Sequence, residues 1–214
     1  MIRLSYSSLK YLNGNATHEW VNKQMGIPVP KYPFLQEGKD AHRIIQDHVS
    51  KKNKDKRLSH IRITFPVVEE REFDPRCRFI IPLSGGYEVT GFYDGRDDER
   101  GRFLEIKTSS SPWTLRKFSE SIQRKIYALA HPDFTKAYLI TGSKDPKVWE
   151  SAPPKLYAVT LTQRDRDDAW AWIANGIAVL EKGDFTGGLD EHGKCTGCFW
   201  NMDRYRDIAN CHFM

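Results

Sequence analysis

The stretch that most constrains this chain runs from Gly91 to Thr108. Gly91-Phe92-Tyr93-Asp94 and Phe103-Leu104-Glu105-Ile106-Lys107-Thr108 read as two strands. Side chains alternate across a strand, so Phe103, Glu105 and Lys107 are expected on one face and Leu104, Ile106 and Thr108 on the other. One face is then apolar and the other carries opposite charges. Gly95-Arg96-Asp97-Asp98-Glu99-Arg100-Gly101 is polar and bounded by glycines, the composition of an exposed hairpin turn that returns Asp94 to the side of Glu105. Two carboxylates and one ammonium are thereby expected together. Close carboxylates repel unless a cation lies between them, and a hard divalent ion such as Mg²⁺ takes oxygen ligands. An ordinary surface ion pair is the alternative reading of the same residues.

The rest of the chain sets limits on that site. At 214 residues, one domain with a full core suffices, ending in a cysteine-containing segment from about residue 185 to 214. A formal charge of +5 suits a polyanionic partner. No apolar run resembles a signal peptide or a membrane span, so an intracellular, soluble protein without a membrane partner is expected. Of four cysteines, three fall in the last twenty residues, a pattern for reduced thiols or metal ligands rather than a disulfide framework.

Leu4 to Trp20 carries Leu9, Leu12 and Trp20 at intervals of a short amphipathic helix, interrupted at Asn13-Gly14-Asn15. Pro28, Pro30 and Pro33 predict an extended connection. A helix follows from Gln36 to Val49, with Ala41, Ile44, Ile45, His48 and Val49 near one side. It contains Gly38 and His42. Glycine inside a helix costs about 1 kcal/mol against alanine, which points to a strand or ligand approaching Gly38. His42, one turn on, reads equally as a core histidine. The basic run from Lys51 to Arg57 is a solvated loop or a phosphate contact.

Ile61 to Phe73, Arg78 to Leu83 and Tyr87 to Phe92 predict successive strands. Thr108-Ser109-Ser110-Ser111-Pro112 leads into one helix from about Trp113 to Ala130, stopped by His131-Pro132. Gln123 and Tyr127 share a face of it. Gln123 can bond a phosphate or carboxylate, and Tyr127 can stack on a base; equally, the tyrosine packs in the core. Lys136 to Thr141 and Lys155 to Leu161 predict two further strands. Thr162 can cap a long helix that Gly183 stops, with Trp170, Ile173, Ile177 and Leu180 as its buried stripe.

Taken in order, Gly38-x-x-x-His42, Gly91-x-x-Asp94, Glu105-x-Lys107 and Gln123-x-x-x-Tyr127 resemble the PD-(D/E)XK nuclease superfamily, in the branch of the RecB and AddB nuclease domains and Cas4-like exonucleases. The resemblance implies an α/β core with a central mixed sheet flanked by helices, and DNA phosphodiesters as substrate. It implies His42, Asp94, Glu105 and the Ile106 main-chain carbonyl as ligands of Mg²⁺ or Mn²⁺, with Asp94, Glu105 and Lys107 catalytic. Gln123, Tyr127, Ser109 and Ser110 would contact DNA. The expected activity is exonucleolytic, in recombination, repair or phage DNA processing. A structure-selective endonuclease and a non-catalytic DNA-binding module are the alternatives. An oligomer or a repair partner protein is compatible with each, in a bacterial or phage setting.

Cys195, Cys198 and Cys211 match three of the four cysteines with which Cas4-like and AddB-like proteins hold a [4Fe-4S] cluster. The N-terminal fourth is missing, since Leu4 to Trp20 offers Asn13, Asn15 and His18 but no thiolate. A cluster with another fourth ligand, a Zn²⁺ site using His192 or His212, and a segment held by packing remain open.

Overall fold

A computed structural model describes residues 1–14, 33–69 and 74–183. Cys195, Cys198 and Cys211, with His192 and His212, lie outside the described residues, as does Trp20. The chain divides into two compact units, Met1–Ile2 with Tyr32–Ala169, and Arg3–Lys31 with Trp170–Met214.

A strand, β1 (Ile2–Leu4), opens the chain. In the smaller unit Ser5 caps α1 (Tyr6–Leu12) by accepting the Ser8 N–H at 3.2 Å, which uses one of the serines ahead of the apolar positions. The C-terminal part of the last helix, α5 (Gln163–Lys182), belongs to the same unit. Trp172 stacks on Tyr6 at 5.9 Å, and a Cβ on Gly176 would stand 2.8 Å from the end of the Leu9 side chain, which glycine leaves undisturbed. Trp170 departs from the expected buried stripe. It is 51% exposed, because Ala169, Ile173 and Gly176 form the inward row of α5 and Trp170 falls beside it.

The larger unit carries the sheet. Helix α2 (Pro33–Val49) begins at Pro33, earlier than the expected Gln36, since a proline fits the first turn where its missing N–H has no helical partner. Ala41, Ile45 and Val49, four residues apart, are fully buried against Leu104, Ile106 and Ile140. Between Ile61 and Phe73 only β2 (Val67–Val68) is a strand among the described residues. Ile61 donates to Leu58 at 2.8 Å and Phe65 to Val49 at 3.1 Å, so the preceding segment spends its main-chain donors on the end of α2 and a turn.

β3 (Arg78–Pro82) and β4 (Tyr87–Phe92) form an antiparallel hairpin. β5 (Gly95–Asp97), β6 (Arg102–Ser109), β7 (Lys136–Ser143) and β8 (Lys155–Thr160) complete a five-stranded sheet in the order β2-β5-β6-β7-β8. Every neighbouring pair is antiparallel except β6 and β7. That parallel pair needs a crossover, supplied by α3 (Leu115–Ser119) and α4 (Ile122–Ala130).

The single helix expected between Trp113 and Ala130 is therefore two. Arg124, 2% exposed, accounts for the break. Its guanidinium donates to the Ser119 carbonyl at 2.7 Å and the Phe118 carbonyl at 3.2 Å, satisfying the end of α3, while it pairs with Asp165 at 2.6 Å. Thr162 and Asp165 cap α5 reciprocally, Asp165 N–H donating to Thr162 Oγ1 and Thr162 N–H to Asp165 Oδ2. Gly183 follows at φ 73°, ending the helix as its sequence predicts.

Both faces of β6 are covered. Leu104 and Ile106 meet α2. On the other face Phe103 joins Phe79, Tyr93, Tyr127 and Phe134 in an aromatic cluster with ring centroids 4.9–6.5 Å apart. The face of Phe103, Glu105 and Lys107 thus begins in core at Phe103 and becomes charged toward Glu105. Among the described residues no helix is long and apolar enough to cross a membrane.

Candidate active site

Asp94 sits where the chain passes from one strand pair to the other, rather than inside a simple hairpin with β6. Tyr93 N–H donates to Cys77 at 2.9 Å, prolonging the β3–β4 pairing, and Asp94 C=O accepts from Glu69 N–H at 3.1 Å, prolonging β2–β5. The reversing turn is Asp98–Gly101, so Arg96 and Asp97 belong to a strand. Asp97 is fully buried, holding Arg102 at 2.7 Å and Arg100 at 3.1 Å.

β5 pairs with β6 only as far as Gly95 opposite Leu104. Beyond that point, among the described residues, no strand pairs with the β6 edge on this side, and the Asp94 side chain meets it instead. Asp94 Oδ2 accepts the Ile106 N–H at 2.5 Å, and Oδ1 lies 3.2 Å from His42 Nε2 on α2. An extended residue turns its N–H and C=O to the same side, so the Ile106 carbonyl faces that edge as well. Gly38, one turn before His42, accepts the Thr108 hydroxyl at 2.9 Å. A Cβ there would meet Thr108 at an ordinary 3.7 Å, so β6 comes up against Gly38 without requiring a glycine.

On the opposite face Lys107 Nζ pairs with Glu105 Oε1 and donates to Gln123 Oε1 at 3.0 Å. Gln123 Nε2 donates to the Tyr127 hydroxyl at 2.7 Å. Position four residues apart on α4 gives Gln123 and Tyr127 this shared face. The Tyr127 ring itself is core, 5% exposed and packed edge-on against Tyr93 and Phe79. Only its hydroxyl reaches the site, and a base cannot stack on it.

Burial shapes the charges. It raises Glu105 to about 7, the Asp94 charge adding to the effect and Lys107 opposing it. Burial works the same way on Asp94, but His42, Lys107 and the Ile106 N–H outweigh it and hold the carboxyl below its usual range. His42 is raised, burial being overcome by the charge and hydrogen bond of Asp94. Burial, then the Glu105 and Asp94 charges, push the Tyr127 phenol well above its ordinary value. The two carboxylates therefore titrate apart, one ionised and one poised near neutrality.

Among the described residues no three His, Cys, Asp or Glu side chains are grouped as a metal site. Instead, His42 stands against Asp94 and Lys107 against Glu105. The donors on this edge are nonetheless two carboxylates, an imidazole and a main-chain carbonyl, a set suited to Mg²⁺ or Mn²⁺. A divalent cation would also favour the ionised form of Glu105, which burial and, to a lesser extent, the Asp94 charge oppose up to about pH 7.

The other sequence candidates fall elsewhere. Ser109 Oγ donates to the Ser111 carbonyl at 2.5 Å and Ser110 is exposed, both at the end of β6. Cys77 is fully buried, its thiol pushed up to about 12 by burial and nearby carboxylates. In the basic run Arg57 is spoken for, bonding Asp55 and the Pro146 carbonyl and covering Trp149 at 5.3 Å, while Lys51, Lys52, Lys54 and Lys56 are exposed. Trp113, expected only as the start of a helix, lies with its ring centroid 5.4 Å from Lys107 Nζ. Its position in a serine-rich link after the charged strand was the available signal.

No family model matches the chain, and no curated protein matches it in sequence. Among solved structures it is similar to SSO0001, with a TM-score of 0.54 and 16% identity over 86% of this chain and 78% of that one. It is also similar to a protein from Eubacterium rectale named as a candidate exonuclease, with a TM-score of 0.52 and 13% identity over 84% of this chain and 80% of that one. At such identities the likeness is one of fold.

Proposed function

We propose that this chain is a Mg²⁺- or Mn²⁺-dependent deoxyribonuclease of the PD-(D/E)XK superfamily, related to the RecB, AddB and Cas4-like branch and acting from DNA ends. The observation that carries the reading is the seating of Asp94 on the Ile106 N–H, which holds one ionised carboxylate beside Glu105 and Lys107 on the β6 edge beyond the end of β5. The α2, β5–β6 hairpin, α4 and β7 order supports it, as does the fold likeness to a named candidate exonuclease.

His42, Asp94, Glu105 and the Ile106 carbonyl would hold the cation, which supplies phosphate-charge neutralisation and a lower pKa for water. Lys107 donates hydrogen bonds to the attacking water or a phosphate oxygen, and Gln123 keeps its ammonium from swinging away. Glu105, ionised when a cation is bound beside it, accepts a hydrogen bond from Lys107 and keeps that ammonium facing the site. Water oxygen bonds to phosphorus, the bond to one ribose oxygen breaks, and that oxygen acquires a proton.

The test is degradation of end-labelled linear single- and double-stranded DNA beside closed circles, in Mg²⁺, Mn²⁺ or EDTA. Metal-dependent loss of linear DNA with circles spared is expected, and Asp94→Ala and Lys107→Ala should lose at least about a hundredfold in rate while remaining folded. Full activity in both variants would sink the reading. The mutual pairing of His42 with Asp94 and Lys107 with Glu105 also suits a DNA-binding module without turnover. Salt-sensitive binding with no metal-dependent cleavage would select that alternative.

A further inference from the structure

We propose that the indole of Trp113 is a stacking platform for a nucleobase next to the reacting phosphate at a DNA end. The inference rests on the nucleic-acid reading above and narrows it.

Trp113 lies in the link between β6 and α3, in a sequence position that carries no part of the nuclease resemblance. Its main chain is fixed, because its N–H donates to Thr141 Oγ1 at 2.8 Å and Thr141 is 1% exposed on the central β7. One residue on, Thr114 caps α3 by accepting the Lys117 N–H at 3.2 Å. The indole thus projects from an anchored point.

Its surroundings are mixed in a way that suits a nucleotide. Lys107 Nζ lies 5.4 Å from the ring centroid and Lys117 Nζ 4.7 Å. Ser110, Ser111 and Pro112 just before it are exposed, and Leu115 just after it is 45% exposed. A half-buried indole next to Pro112 and Leu115 can take a base on its plane once the exposed Lys117 ammonium, which lies over the ring, moves to the phosphate beside that base. Of the other described tryptophans, Trp170 is 51% exposed on α5, and two are employed in packing. Trp149 is buried, donating to the Ser143 carbonyl at 3.0 Å, and Trp172 stacks on Tyr6.

Inside a duplex both faces of a base are covered by its neighbours, whereas a base at a DNA end keeps one face open to stacking. Lys107 links the platform to the chemistry, since the same ammonium touches Glu105 and Gln123.

The experiment uses the full chain and single-stranded oligonucleotides in which one abasic residue is moved through successive positions from the end. Binding is read by anisotropy in EDTA and cleavage in Mn²⁺, for the wild type, Trp113→Ala and Trp113→Phe. Wild type should lose about tenfold in affinity and in kcat/KM when the abasic residue occupies one particular position. Trp113→Ala should lose about the same on intact DNA, lose nothing more at that abasic position, and be largely rescued by Trp113→Phe. A merely structural defect would persist on every oligonucleotide and would not cancel in this way. Equal binding of all abasic oligonucleotides by wild type, or undiminished abasic sensitivity in Trp113→Ala, would overturn the proposal. Trp113-dependent binding without any metal-dependent cleavage would overturn the nuclease reading and leave the platform standing; cleavage indifferent to Trp113 would do the reverse.

Discussion

Glu105 is held between opposing demands. Burial and the Asp94 charge favour its neutral form, while Lys107 favours the ionised one, and the carboxyl comes to rest at about 7 instead of 4.5. The folded state thus holds this proton more tightly than the unfolded chain. Its contribution to stability is full below about pH 4.5 and is lost as the pH rises through about 7. Glu105→Gln should therefore raise the melting temperature of the metal-free protein more at pH 8 than at pH 5; equal changes at both values would contradict the burial argument. Asp94 behaves oppositely. Its lowered value makes its contribution present above about pH 3.8 and lost as the pH falls further. Of these residues, sequence made the types and order legible, because alternation along β6 and spacing on α4 are local properties. The direction of each titration was not legible, since it depends on burial by residues far away in the chain. Asp97 illustrates the same limit: within a polar, glycine-bounded segment it reads as solvent-exposed, yet it is fully buried between two arginines. Asp97→Ala should destabilise the fold by about 3 kcal/mol, read by denaturant unfolding, because Arg102 is left buried without its anion.

At the level of elements, two features had no local signature. The residues of β4 read as a strand running through Asp94 into a turn that begins at Gly95, but the chain changes sheets at Tyr93–Asp94 and Gly95–Asp97 is a strand; that change is what frees the Asp94 side chain to meet β6. Gly91 has its reason in the same region. It lies directly opposite Phe79, and a Cβ on it would stand 2.5 Å from the Phe79 ring. Gly91→Ala should cost about 1–3 kcal/mol through forced displacement of that ring, measurable as a lower denaturation midpoint, with near-neutrality as the opposing result. The break between α3 and α4 is the second feature. No glycine or proline marks it, and Arg124 holds it open from the tertiary side by bonding both the α3 terminus and Asp165. Arg124→Met should destabilise by about 3–5 kcal/mol, since it removes the cation paired with Asp165 and the guanidinium donor of the Ser119 carbonyl. Where the cue was local, the elements fell as expected: Thr162 and Gly183 bound α5, and β7 and β8 lie within two residues of their predicted limits.

For the whole molecule, the charge of +5 carries a prediction of its own. Binding to single-stranded DNA should weaken as salt rises, with a linear dependence of log affinity on log salt; affinity indifferent to salt would remove DNA from consideration. Mg²⁺ or Mn²⁺ should raise the melting temperature of the wild type and fail to raise that of Asp94→Asn, because an ion that binds only the folded state stabilises it by mass action. The sequence by itself determined the periodicities, the caps and the order of charged residues, all of which depend on neighbours within a turn or a strand. Only the tertiary structure decided which charges meet. The Ile106 N–H has Asp94 as its acceptor because β5 stops short, Glu105 is raised because two faces of β6 are covered, and Trp113 lies beside Lys107 because Thr141 on β7 anchors its main chain. Each of those contacts joins residues from different elements, and no local pattern in a chain encodes the distance between them.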